Sequence, residues 1–201
     1  HYDIGNAQYV LSFGADFLST WVSPTQWEVG YGEFRDSEHS QRGILTHVDS
    51  RFSVTASNAD RWIPISPGEE GKLALSIAYV IIEEGLYPSG VNIDDLTSGQ
   101  GLNLLAAYSP ENIGSQLGTP EHVSGANSVP ELIRTVAREF ASHPPAIAIG
   151  GGSTGASTNG LFNLEAVYLL NHLVGSVGQK GGVILNPEPP VKELKGYSNS
   201  H

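Results

Sequence analysis

The sequence predicts an α/β domain of three layers: a mostly parallel open sheet with helices on both faces. Three observations predict it. Short apolar runs rich in β-formers alternate with longer stretches of helical period. Glycine-containing turns follow several of those runs. The 201 residues suffice to bury one such core.

The elements follow in chain order. YVLSFG (9–14) reads as a buried strand stopped by Gly14. The stretch 18–34 reads as a weak helix, interrupted by Pro24, Gly30 and Gly32. GILTHVD (43–49) is a second strand. RWIPIS (61–66) is a third, which Pro64 confines to an edge or an irregular extension. Residues 69–84 place Leu73, Ile77, Val80 and Ile81 on one helical face. Segment 86–127 is less regular, with two helix openings, SPE (109–111) and TPE (119–121). Residues 129–142 form an amphipathic helix through Val129, Leu132, Ile133, Val136 and Phe140, opened by a Ser128/Glu131 capping box. PAIAIGG (145–151) is a fourth strand, and residues 160–174 a helix capped by Gly175. GGVIL (181–185) reads as a fifth strand. The Pro-rich, then polar end reads as a tail or linker, so the domain is expected over residues 1–187, with 188–201 outside it. Strands alternating with helices make the expected fold Rossmann-like, and such sheets bind ligands at the carboxyl ends of their strands.

Composition removes several function classes. A net charge of −11 leaves no basic stripe for nucleic acid or anionic lipid. No apolar run reaches the roughly 20 residues that span a bilayer. Without cysteine this stretch holds no disulfide, thiolate nucleophile or iron–sulfur cluster. No two of the seven histidines have a helical metal-ligand spacing, so no metal is expected to bind directly, and His47 and His172 read as packing or surface residues. Trp21, Trp27 and Trp62 read as core or interdomain contacts. No secretory signal peptide is read. With no methionine, even at position 1, the sequence is expected to be a processed chain or a fragment of something longer.

The loop AIAIGGGSTGASTNG (146–160) matches two motifs at once. Gly151, Ser153 and Gly155 spell a nucleophile elbow, but the following Glu165 and His172 lie two helical turns apart on the next helix and cannot serve Ser153. Gly150, Gly152 and Gly155 spell a dinucleotide fingerprint, but residues 172–187 contain no acid to hold a ribose. What remains is a sharp strand-to-helix turn whose amides form an anion site. The other strand ends carry Gly14-Ala15-Asp16, then Asp49-Ser50-Arg51, then the turn of Pro67 and Gly68 into Glu69 and Glu70. Acids there suit ribose hydroxyls or the N–H edge of guanine, while Arg51 and glycine amides suit phosphate. That outlines a purine-nucleotide pocket without a nucleophile.

The order of these motifs resembles the molybdopterin oxidoreductase superfamily, of the dimethyl sulfoxide reductase type. The resemblance rests on GAD after the first strand, VDSR after the second, ASNADRWIPISPGEEGKLALSIAYVIIEEGLY (56–87), YSPEN (108–112), VPELIRTVAREFASHPPAIAIGGGST (129–154), TNG (158–160) and LLNHLVGSVGQKGGVILNP (169–187). It implies a site for molybdopterin guanine dinucleotide. Gly14, Ala15, Asp16, Asp49, Ser50, Arg51, Pro67, Gly68 and Glu70 would contact its guanosine and diphosphate, and Gly151, Gly152 and Ser153 would approach the pterin. Asp16 stands where that family usually has Asn, Ser50 where it has Pro, Ser66 where it often has Arg, and Glu70 where it has Asp. GADF and the segment ending in VILNP look like the large subunit of alternative complex III, a membrane-attached quinol electron-transfer complex whose molybdopterin-like region is thought to lack the cofactor. The resemblance thus implies an oxidoreductase domain with no catalytic residues of its own. Its partners would be other domains of the same subunit and neighbouring iron–sulfur or membrane subunits, on the extracytoplasmic face of a bacterial membrane. A cofactor-free scaffold domain and a stand-alone nucleotide-binding module are the alternative expectations.

Overall fold

The sheet has four strands, all parallel, in the order β3-β2-β1-β4. In the computed structural model, residues 1–36, 41–119 and 126–186 are described. They give β1 (Tyr9–Phe13), α1 (Pro24–Arg35), β2 (Ile44–Val48), α2 (Val54–Asn58), β3 (Arg61–Ile63), α3 (Glu70–Glu83), α4 (Ile93–Thr97), α5 (Pro110–Ile113), α6 (Val129–Ser142), β4 (Ala146–Gly150) and α7 (Gly160–Leu173), with 3-10 turns at Ile4–Asn6, Gly101–Tyr108 and Gly152–Gly155. β1 is central: Tyr9 to Phe13 pair with Ile44 to Val48 on one side and Ala146 to Gly150 on the other. β3 stops before Pro64 and lies at the sheet edge, where the missing N–H costs no ladder bond.

Alternation along β1 and β4 divides the core between two faces. Tyr9, Leu11, Phe13, Ala146 and Ala148 pack with the apolar stripes of α3, α6 and α7. Val10, Leu45, Ile147 and Ile149 pack with Ile4, Phe17 and Phe34, and Trp21 and Trp27 lie over this second cluster. Helices therefore cover both faces, as expected. Each fully buried Leu, Ile or Phe contributes about 1.5–3 kcal/mol.

Local signals set several boundaries. Pro24 occupies the first turn of α1, where no intrahelical donor is needed, so it starts the helix rather than interrupting one. The weak helix expected over 18–34 is thereby corrected to Pro24–Arg35, preceded by Ser23 at φ 56°. Ser109 caps α5 through Asn112, as the SPE opening implies. Ser128 accepts the N–H of Glu131 at 3.3 Å, whereas the returning Glu131 carboxylate takes the N–H of Asn127 instead of Ser128. The 3-10 turn Gly101–Tyr108 and short α4 went unread within the irregular segment. The TPE opening at Pro120 and the tail beyond 187 lie outside the described residues.

The expected fifth strand at 181–185 does not form. Gly181 turns the chain at φ 74°, and Val183 makes only isolated bridges to Tyr2 and Val177. The outer side of β4 is met by a side chain instead. The buried Asn171 of α7 accepts the N–H of Ala148 at 2.9 Å and donates to its carbonyl at 2.8 Å.

Candidate functional site

The strand order reverses between β1 and β4, so the carboxyl ends of these two strands flank the topological switch point. Their loops interlock. Gly14 sits at φ 61°, and a β-carbon there would strike the Ser153 hydroxyl and come within 2.6 Å of Thr154 Oγ1. Gly152, at φ 51°, packs against the carbonyl of Gly14. Only glycine meets both the left-handed backbone and the contact. Gly151 is extended, and its Cα faces the Trp21 ring.

β2 delivers Asp49 to the same crevice. Its side chain is 1% exposed. Oδ1 accepts from the Arg51 N–H at 3.3 Å and from the Ser153 hydroxyl at 3.2 Å, which joins the β2 end to the β4 end. Oδ2 has no hydrogen-bond partner, with His47 Nε2 3.6 Å away. Burial pushes the Asp49 carboxyl up. The neighbouring His47 ring opposes this, helped by the Arg51 N–H and Ser153, and the net position is below the ordinary aspartate value.

Glu70, at the start of α3, is fully buried. Its Oε2 accepts from Asn163 at 3.3 Å, and Oε1 has no partner. Burial raises its carboxyl, backbone N–H groups oppose, and the charges of Asp49 and Glu69 add to the rise, which prevails. Asn163 also accepts from the Gly71 N–H and donates toward the carbonyls of Gly68 and Thr154, tying α3, α7 and the 152–155 turn together.

Asp16 is differently placed. Its Oδ1 accepts the hydroxyl and N–H of Thr55 at 2.8 and 3.2 Å, and Arg51 reaches Oδ2 at 3.4 Å. The carboxylate thus serves the first turn of α2. Ala15 is buried, its carbonyl accepting from Ser12. Ser50, Arg51, Pro67, Gly152 and Ser153 form the exposed rim, and Gly68, at φ 89°, is half-buried between.

Of the residues expected to form a site, Gly14, Asp49, Gly151, Gly152 and Ser153 come together, Asp16 meets Arg51, and Gly68 and Glu70 join them through Asn163. Sequence reasoning missed Asn163, Thr154 and Thr55, while His47, read as a packing or surface residue, is fully buried. Asn163 carried a signal: with Asn171 it is one of two polar residues on the mostly apolar buried side of α7. Asp49 Oδ2, Glu70 Oε1 and the Thr154 hydroxyl are buried atoms without partners. Two carboxylate oxygens that lack donors, beside an arginine, fit a group offering hydroxyl or ring N–H donors with an attached phosphate. Among the described residues no group of three or more His, Asp or Glu is arranged to hold a metal ion, and no helix is long and apolar enough to cross a membrane.

Comparison with known proteins follows the same lines. The family model for molybdopterin oxidoreductase matches residues 1–187. The molybdopterin-containing subunit of arsenate respiratory reductase from Shewanella sp. (strain ANA-3) is 30% identical, covering 98% of this chain and 24% of its own length. The menaquinone reductase molybdopterin-binding-like subunit of Nitratidesulfovibrio vulgaris is 30% identical over 90% of this chain and 24% of its own. Dimethyl sulfoxide reductase DmsA of Escherichia coli is 31% identical over 90% of this chain and 23% of its own. This chain therefore spans about a quarter of the length of these relatives. Among solved structures, acetylene hydratase from Pelobacter acetylenicus shares the fold, with a TM-score of 0.66 and 22% identity over 87% of this chain and 22% of that one.

Proposed function

Because this chain belongs to the molybdopterin oxidoreductase family, we propose that its strand-end crevice holds the guanine-nucleotide end of a molybdopterin guanine dinucleotide. One observation carries this reading: Asp49 and Glu70, on segments that lead from the strand ends near the switch point, each bury a carboxylate oxygen without a hydrogen-bond partner. Arg51 would meet the diphosphate, and the 151–153 turn would approach the pterin side. Asp49 would accept from ribose hydroxyls, and Glu70 from the N–H edge of guanine. When bound, the molybdopterin supplies the redox chemistry. The residues of this chain bind and orient it, and none is assigned a catalytic role.

The test is metal and nucleotide analysis of the intact protein from its native host. Molybdenum or tungsten with guanine nucleotide released on acid hydrolysis supports the reading, and the absence of both overturns it.

A second reading has its own observation. Asp16 is wholly engaged with Thr55 and Arg51, and the Glu70 side chain is sealed from solvent, so the pocket is partly closed by its own acids. Such a domain would serve as a cofactor-free scaffold in a membrane-attached electron-transfer complex such as alternative complex III. Its partners would then be the other domains of the subunit and neighbouring iron–sulfur subunits. The likeness to a molybdopterin-binding-like subunit agrees with this role. An intact, active complex free of metal and pterin would establish it.

A further inference from the structure

His47 is fully buried, and the crevice mechanism above leaves it unused. Its neighbours fit the tautomer with the proton on Nδ1. The Ser12 hydroxyl donates to the Ala15 carbonyl at 3.2 Å, so toward His47 Nδ1, at 3.0 Å, it can only accept. Nδ1 therefore carries a proton. Ser53 Oγ accepts the Ala56 N–H at 3.2 Å as the cap of α2, which leaves its hydrogen to point at His47 Nε2, 3.4 Å away. In this arrangement Nε2 is an acceptor. It then faces Asp49 Oδ2, at 3.6 Å, with a lone pair. That is why a buried carboxylate oxygen sits beside an imidazole without a donor.

A proton on Nε2 reverses the situation. The imidazolium donates to one lone pair of Asp49 Oδ2, leaves the other for a ligand hydroxyl, and adds a positive charge to a corner dominated by acids. The ionisable groups of that corner are Asp49 on the same strand end, Asp16 on the β1 loop, Arg51 paired with Asp16, and Glu70, whose carboxyl is raised in part by the charge of Asp49. A diphosphate entering there meets Asp49 and one arginine already shared with a carboxylate. It favours any neighbour that can become a cation.

We propose that His47 is a positioning residue that takes up a proton from solvent when a diphosphate occupies the crevice, and that the charged ring then holds Asp49 toward the ligand. This rests on the nucleotide reading of the site. By linkage, a ligand that draws a proton onto the protein binds more tightly at higher proton activity.

The test is calorimetry with GDP as the probe, at one pH in two buffers of different ionisation enthalpy. The expected result is a buffer-dependent enthalpy equal to uptake of a fraction of one proton. His47→Gln offers an N–H to Asp49 but cannot charge. It should retain GDP binding, roughly tenfold weaker, with the buffer dependence gone. Binding without buffer dependence, or unchanged proton uptake in His47→Gln, overturns the inference while leaving the nucleotide site standing. No heat with GDP up to millimolar concentration overturns the nucleotide reading, and this inference with it.

Discussion

At Gly14 a single methyl group is too much. The left-handed backbone and the contact with the 152–155 turn act together, so Gly14→Ala should cost about 3 kcal/mol and lower the melting temperature measured by circular dichroism. Glu70 makes the opposite case, because its burial opposes folding. Its folded carboxyl is raised, so whatever stability it contributes is complete below the ordinary glutamate range and lost as pH rises through the raised value. Glu70→Gln should therefore gain about 1 kcal/mol at pH 8 and little at pH 4, while weakening the binding of guanine nucleotide, as thermal melts at both pH values and GDP titration would show. Asp49 has the reverse sign. Its folded carboxyl is depressed, so its contribution is present above the ordinary aspartate range and lost as pH falls through the depressed value. Asp49→Asn should flatten the acid limb of the stability curve. The residue types at the strand ends were legible in the sequence, because acids and glycines after apolar runs are conspicuous. Their partners were not. Asp16 binds Thr55, 39 positions away, and Asp49 meets Ser153, 104 positions away, contacts that only the folded chain creates.

Elements were most readable where local chemistry agrees with burial. α3, α6 and α7 follow their apolar stripes to within a residue or so. α6 shows how much a cap adds: Ser128→Ala should destabilise by about 1 kcal/mol, read as a shifted denaturation midpoint at unchanged slope. α1 was misplaced because proline was taken as a breaker where it is an initiator. The fifth strand failed for a different reason. GGVIL has the composition of a strand, but strand formation needs a partner ladder, and Gly181 turns the segment away from one. Asn163 joins three elements through one amide, so Asn163→Ala should do more than weaken α7. It should raise hydrogen exchange at Gly71 and in the 152–155 turn, as mass spectrometry of deuterium uptake would reveal.

For the whole molecule, fold class and layer order were legible because a parallel sheet flanked by helices leaves its period in every segment. The order β3-β2-β1-β4 was not, since it depends on which side of β1 the last strand enters. The chain shows Val22, Leu161 and Leu185 at more than 70% exposure, and it spans about a quarter of its relatives' length. Asn171 has a larger consequence than its two hydrogen bonds suggest. One side-chain amide imitates a peptide group and occupies the row where another polypeptide would add itself to β4. The molecule thus carries a counterfeit neighbour that closes this edge of its sheet to recruitment. Asn171→Leu would leave Ala148 with an unanswered donor and acceptor at a cost of about 2 kcal/mol. More tellingly, it would turn a self-limited domain into a template, and light scattering on mild heating would show growth through strand addition that the native chain resists.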